Sequence, residues 1–322
     1  MTKRRIAVVL AVLAVLAVTV SAVGTLAGTP PSAWADRLAA LLLRAGGERA
    51  SGFYTLIDER GAPLLCTGIV VRRGDRYLDP GNQWHRVTRV RGAVAQTVID
   101  ANPPVGEAAR PEADTVLAAG QPGAIPLGAA RQVIVIYHTH SDESYIPSDG
   151  TESLIAAGGI YDVGKTMAAS LKKAGFTVVH DLTAHDPHDG GAYPRSRRTV
   201  LDNLQYSPTL IYDVHRDSAP ASEYLTTIQG SETARILLVI GGGNPFYRSN
   251  LGIAKQMKAS ADGLYPGLVR GIFVAGGSFN QDLSPADLLL EMGTDVIAKE
   301  VAQRAATLWA NVTAAYLGPP GP

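Results

Sequence analysis

Three short polar clusters in this chain follow apolar runs directly. His138-Thr-His-Ser-Asp-Glu-Ser144 comes after Val133–Tyr137, and Asp213-Val-His-Arg-Asp217 closes a run that starts near Leu210. Glu291 follows Leu288-Leu-Leu290. Histidines and carboxylates brought from separate strand ends suit a catalytic zinc site, with three protein ligands and one position left for water. Zinc lowers the pKa of that water to about 7, and a neighbouring carboxylate can take its proton. Blander readings stand beside this one. A histidine after a strand can be structural, Glu143 can cap a turn, and Glu291 can be a buried partner of Arg216. No H-E-x-x-H is present to decide by spacing. A serine hydrolase built on Ser141 or Ser278 with His215 has no supporting motif, since Gly276-Gly-Ser278 is not a G-x-S-x-G elbow. Gly241-Gly-Gly-Asn-Pro245 lacks a P-loop ending and reads as a tight turn, and the His/Asp-rich stretch 180–189 reads as a solvated loop bordering the groove.

The elements that must position these residues show in the hydrophobic pattern. From Arg131 onward, apolar β-branched runs alternate with helical spacing. Strands are expected at 133–137, 177–179, 210–214, 236–240, 271–274 and near 288–291. Helices are expected at 162–174, 250–261 and 294–316. This is the pattern of an α/β domain with a mostly parallel twisted sheet flanked by helices, whose chemistry sits outside the carboxyl ends of the strands. Before it, 52–58, 64–71 and 84–90 read as strands of a small antiparallel β unit separated by turn signals. The Pro/Ala/Gly-rich stretch 101–130 reads as a linker.

Lys3, Arg4 and Arg5 precede an uncharged run from Ile6 through Val23, which reads as an N-terminal transmembrane helix. Ala33-Trp-Ala35 would serve as a cleavage site, and an uncleaved anchor is the favoured reading. The rest of the chain is then expected outside the cytoplasm. The organisation is thus 1–35 anchor, 36–100 juxtamembrane helix (Ala35–Arg49) and β unit, 101–130 linker, and 131–318 catalytic domain. Twenty-nine basic and 29 acidic residues leave no net charge, which speaks against a nucleic-acid binder. A single cysteine, Cys66, excludes an intramolecular disulfide framework, so any metal must be held by histidine and carboxylate.

Five stretches in order resemble the stage II sporulation protein P family: Ile136–Tyr145, Asp162–Lys165, Asp213–Asp217, Ile240–Pro245, and Asn280–Pro285 leading to Leu289–Gly293. The resemblance implies a zinc-dependent N-acetylmuramoyl-L-alanine amidase of the cell wall, acting on peptidoglycan during sporulation and engulfment. It also implies a lytic transglycosylase and a membrane scaffold protein as partners, and endopeptidase activity in some members. By the same resemblance the metal ligands are His140, with His138 the near alternative, then Glu143 and His215. The Glu143 match is poor, and Glu152 and Asp162 are its fallbacks. Glu291 is the catalytic carboxylate, and Arg216 is expected to stabilise an oxyanion or steer a stem-peptide carboxylate. Two other readings compete: a catalytically inactive wall-binding scaffold of the same fold, and a different zinc amidohydrolase or endopeptidase.

Overall fold

The computed structural model describes residues 47–49, 52–107 and 132–318. The expected anchor, nearly all of the juxtamembrane helix and most of the linker lie outside the described residues. Among the described residues no helix is long and apolar enough to cross a membrane.

Among the described residues the N-terminal unit has five strands: β1 (Tyr54–Ile57), β2 (Pro63–Thr67), β3 (Arg76–Leu78), β4 (Trp84–Arg91) and β5 (Val94–Ile99). The larger unit follows the alternating pattern. Its strands are β6 (Val133–Tyr137), β7 (Thr177–His180), β8 (Leu210–Asp217), β9 (Leu225–Ile228), β10 (Ser231–Ala234), β11 (Ile236–Gly241), β12 (Val269–Ala275) and β13 (Asp287–Thr294). Its helices are α1 (Ile146–Asp149), α2 (Ile160–Lys173), α3 (Ala192–Asn203), α4 (Ala221–Tyr224), α5 (Tyr247–Leu264) and α6 (Lys299–Leu317). The last helix starts five residues later than its periodicity suggests, because β13 runs on to Thr294. Helix α3 carries Pro194 in its first turn and too weak an apolar period to be read from sequence. The β9–β10 hairpin turns at Gln229-Gly230, both at positive φ, and was also not anticipated.

All strands except β9 and β10 form one eleven-stranded sheet in the order β2-β1-β5-β4-β3-β12-β11-β13-β8-β6-β7. Strands β13, β8, β6 and β7 run parallel, and so do β11 and β12, but β11 is antiparallel to β13. The carboxyl ends of β6, β8 and β13 therefore share one edge, while β11 and β12 end at the other. The β unit is not a separate small sheet. Strand β3 pairs antiparallel with β12, at Leu78–Ile272, Tyr77–Phe273 and Arg76–Val274, and makes the two units one surface. Gly271, with φ of +147°, makes room for this join, since a Cβ there would stand 2.4 Å from the Leu78 carbonyl oxygen. The Tyr77 hydroxyl donates to the Arg270 carbonyl at 2.6 Å and closes it.

Strand residues alternate between two cores, which decides where the polar side chains go. On β6 and β8, Ile134, Ile136, Tyr212 and Val214 enter the main core, together with Val163, Met167 and Leu171 of α2 and Trp309 of α6. Val135, Tyr137 and Ile211 face a smaller cluster with Val200 of α3. By the same alternation Asp213 and His215 lie on the α3 side. Helix α2 shows why these residues coil: its buried residues recur at helical spacing, Asp162 sits in its first turn and Lys172 and Lys173 in its last.

Asp75, at the start of β3, gives a pH-dependent test of the junction. It is 6% exposed and accepts a hydrogen bond from the Arg72 backbone N–H. Burial pushes its pKa up to about 6, against that hydrogen bond. A raised carboxyl pKa means the native state holds the proton more tightly than the unfolded chain does. The contribution is full below the unfolded pKa near 3.8 and is lost as pH rises through 6. Between pH 4 and 6.5 wild type should therefore lose on the order of 2–3 kcal/mol more than Asp75→Asn. Urea unfolding of the two proteins across that range checks this, and parallel pH profiles would remove Asp75 as the source.

Candidate metal centre

The loop after β6 turns its two histidines in opposite directions. His138 points toward α2 and β7: its Nδ1 is 2.8 Å from the Val214 carbonyl and its Nε2 2.9 Å from His180 Nε2. Both nitrogens are thus engaged, which removes His138 from the candidate ligands. Gly164 of α2 gives these rings space, since a Cβ there would meet both at 2.6 Å. His140 points to the other side, is 3% exposed, and has no hydrogen-bond partner on either ring nitrogen. Burial pushes its pKa down to about 3, so it is the neutral imidazole a metal requires.

His215 lies edge-on to His140, with ring centroids 5.2 Å apart. Its Nδ1 is 3.3 Å from Glu143 Oε1. Its Nε2 stands 2.9 Å from Asp213 Oδ1, an ionic contact without the geometry of a hydrogen bond. Asp213 is itself fixed, accepting from the Thr139 backbone N–H at 2.8 Å and the Thr139 hydroxyl at 2.6 Å. With a metal bound, a proton on Nε2 facing this carboxylate would leave the Nδ1 lone pair for the ion, the arrangement by which carboxylates orient metal-binding histidines. Burial alone would keep His215 neutral, but Asp213 and Glu143 outweigh it and raise its pKa. The same negative field favours a cation.

Glu143 is fully buried, and its Oε2 accepts the Arg216 backbone N–H at 2.9 Å. The Arg216 guanidinium is spent elsewhere: Nε donates to the Ser144 carbonyl at 3.3 Å and one terminal nitrogen to the Glu152 carbonyl at 2.9 Å. Arg216 therefore braces the 144–152 loop through Nε and one terminal nitrogen. Glu152 and Asp162, the fallback ligands, are exposed, and Asp162 pairs with Lys299 at 2.8 Å. Glu291 stands beside His215 in the β13–β8 register, so the two side chains leave one face of the sheet. It is fully buried with no partner on either carboxyl oxygen. Burial first, then the carboxylates of Asp217 and Glu48, hold its pKa well above the ordinary range.

Two residues join the site that the sequence reading did not place there. His188, from the stretch read as a solvated loop, stacks on His140 with ring centroids 3.9 Å apart and contacts Asp142 at 3.1 Å. Burial would lower its pKa, but its contacts with Asp142 and Glu48 bring it up to about 10. Glu48 falls where a juxtamembrane helix was expected, yet it forms an extended bridge with Ile69. Its Oε1 lies 3.8 Å from His140 Nε2 and 3.9 Å from His215 Nδ1. Glu48, His140 and His215 form one group able to hold a metal ion, and Glu48, Glu143 and His188 another.

This donor set fits zinc. Ligand atoms at 2.0–2.1 Å in a tetrahedron stand about 3.3–3.4 Å apart, and the Glu48, His140 and His215 atoms, at 3.8 and 3.9 Å, come near that spacing. The unpaired His140 nitrogens are what a metal would satisfy.

The family profile of stage II sporulation protein P matches residues 96–314. The chain belongs to that family. The Bacillus subtilis (strain 168) stage II sporulation protein P is 31% identical over an alignment of 201 residues that covers 56% of this chain and 50% of that protein. The chain thus spans about half the length of that curated relative. Among solved structures, the N-acetylmuramyl-L-alanine amidase Ami1 of Mycobacterium smegmatis is 13% identical with a TM-score of 0.39, over 59% of this chain and 99% of that one. The CwlD amidase of Clostridioides difficile, solved with the GerS lipoprotein, is 10% identical with a TM-score of 0.38, over 58% and 98%. Likeness at this distance assigns no residue. Within the family-matched stretches the fold separates chemistry from support. His138–Tyr145, Asp213–Asp217 and Leu289–Gly293 reach the edge that holds the site. Ile240–Pro245 lies at the opposite edge, where the Gln281 side chain bridges the Gly241 N–H and the Val239 carbonyl, while Asn280 donates to Ser196 Oγ at 2.9 Å, which meets the Thr139 hydroxyl that holds Asp213.

Proposed function

We propose that this family member is a zinc-dependent peptidoglycan hydrolase of sporulation, cleaving the amide between N-acetylmuramic acid and the L-alanine of the stem peptide. The observation that carries the reading is His140, buried with both nitrogens unpaired, beside His215 and Glu143 and on the same edge as the unpaired carboxyl of Glu291. His140 and His215 would hold the metal with a carboxylate, Glu143 by the family's pattern or Glu48, which lies within reach of both histidines. Bound zinc supplies Lewis acidity at the scissile carbonyl and water of near-neutral pKa. The protein's own groups do the rest. Asp213, pinned by Thr139, sets the His215 ring. Glu143, pinned by the Arg216 backbone, keeps its free oxygen toward His215. Glu291, whose pKa burial raises above the ordinary carboxyl range, takes the proton of the attacking water and delivers it to the departing nitrogen.

In this proposal the chain works on the outer face of the cell membrane, held by its N-terminal apolar run. It works with a lytic transglycosylase that opens the glycan strands and a membrane scaffold that localises both. The test is digestion of purified peptidoglycan by the full chain in mild detergent, with product analysis by mass spectrometry. Intact stem peptides released from sugar, lost with chelator and restored by zinc, are expected. Cleavage within the stem peptide alone would replace the amidase by an endopeptidase. No cleavage by zinc-loaded protein, even with the transglycosylase added, would leave a wall-binding protein.

A further inference from the structure

Asn280 lies in a family-matched stretch to which the zinc reading gives no task, and its backbone is held in a costly shape. Phe279 and Asn280 are consecutive non-glycine residues at φ of +54° and +58°. Such residues persist in the left-handed region where surrounding contacts hold them. Here both side chains turn toward the start of α3. The buried Phe279 ring meets the Tyr193 ring edge-on, with centroids 5.5 Å apart. Asn280 is 5% exposed and donates from Nδ2 to the Tyr193 carbonyl at 3.2 Å and to Ser196 Oγ at 2.9 Å. A carbonyl only accepts, so the amide nitrogen, not its oxygen, faces this way.

The hydrogen bonds continue to the metal centre, and their direction is fixed. Thr139 gives its hydroxyl proton to Asp213 Oδ2 at 2.6 Å, because an ionised carboxylate only accepts. Its oxygen is 2.8 Å from Ser196 Oγ, so the proton between them is the serine's. The other acceptor open to Ser196, the Tyr193 carbonyl, is further away at 3.2 Å. Amide, serine and threonine thus aim their donors one way, at Asp213 and through it at His215 Nε2, 2.9 Å beyond. Ser196, Thr139, Asp213 and His215 are fully buried, which shields these bonds from water. The loop has its own anchors as well. Ser278 Oγ donates to Asp282 Oδ1 at 2.7 Å, and Arg197 forks onto the Asp282 carboxylate at 2.8 and 2.6 Å. Removing the Asn280 amide therefore leaves the loop in place.

Resting on the zinc reading above, we propose that Asn280 is a positioning residue for the metal centre. Through Ser196 and Thr139 it fixes the orientation of Asp213, and Asp213 fixes the ring of His215. A side chain three hydrogen bonds away from Asp213 thus sets how tightly, and in what geometry, the metal is held.

The test reads metal coordination rather than turnover. Zinc affinity is measured by competition with a chelating dye for wild type, Asn280→Gly, Ser196→Ala, the double variant and Ser278→Ala. The cobalt(II)-loaded proteins are compared by visible absorption. Glycine adopts the left-handed backbone freely, so Asn280→Gly removes the amide alone. Each of Asn280→Gly and Ser196→Ala should weaken zinc about tenfold, the lower end of what supporting residues of metal sites produce, and shift the cobalt bands. The double variant should be no weaker than the weaker single, because both substitutions cut one chain of bonds. Ser278→Ala cuts a contact within the loop but not that chain, and should match wild type. Wild-type zinc affinity in Asn280→Gly and Ser196→Ala, additive losses in the double variant, or an equal loss in Ser278→Ala would overturn the positioning role and leave the zinc reading standing. A wild-type protein that takes up no zinc would overturn both.

Discussion

Glu291→Gln should keep zinc at wild-type stoichiometry and lose turnover on peptidoglycan by about 10³-fold or more, equivalent to roughly 4 kcal/mol of barrier. The substitution keeps the shape of a fully buried side chain and removes only its ability to exchange a proton. If Glu291 were merely structural, its carboxyl would have partners to satisfy, but neither oxygen has one. An amide there loses no protein hydrogen bond, so folding should be little changed. Kinetics on purified wall material together with metal analysis separate the cases. Near-full rate in the variant would show that some other group handles the proton.

His215→Ala should lose zinc by at least two orders of magnitude in affinity and be less stable without metal. The imidazole stands between Asp213 and Glu143, two carboxylates that the variant leaves buried and facing a gap. Breaking a buried charge pair from one side costs about 3–5 kcal/mol. His138→Ala is the informative control. It removes a histidine from the same loop whose nitrogens are directed to Val214 and His180, so zinc content should hold. Metal analysis of the two variants, with urea unfolding alongside, reads both effects. Zinc retained in His215→Ala and lost in His138→Ala would reverse the assignment of the two faces.

Much of the α/β unit was legible because its strands, covered on both faces, are unbroken apolar runs such as Val133–Tyr137 and Ile236–Ile240. The positions of His140, Glu143, His215 and Glu291 came from strand-end logic and from the family's stretches. The structure brings Glu143 and His140 each to His215 and sets Glu291 beside it in register. The choice between His138 and His140 was not legible, because neighbouring loop residues two apart have no fixed facing until the backbone is set. Arg216 read as a catalytic cation because charge next to a histidine is visible in sequence. That its guanidinium is consumed by the Ser144 and Glu152 carbonyls is not visible there. His188 left a faint signal in the density of His and Asp at 180–189. Glu48 left none: its place over the centre depends on contacts from Ile69 and Gly68, which depend on the sheet joining two units. That join was hidden as well, since β3 is three residues long.

The shared sheet has a consequence for how this protein can be cut. Strand β12 is buried along its whole length, and three of its residues have their outer ladder only through Arg76–Leu78. A fragment beginning at residue 131, the obvious choice from the linker composition, would bare that ladder beside an apolar strand. A bare strand of this kind is a template for another chain. Such a fragment would self-associate through β12, and its insolubility would say nothing about whether the α/β half is well formed. The first five strands thus cover an edge that the α/β half would otherwise leave open.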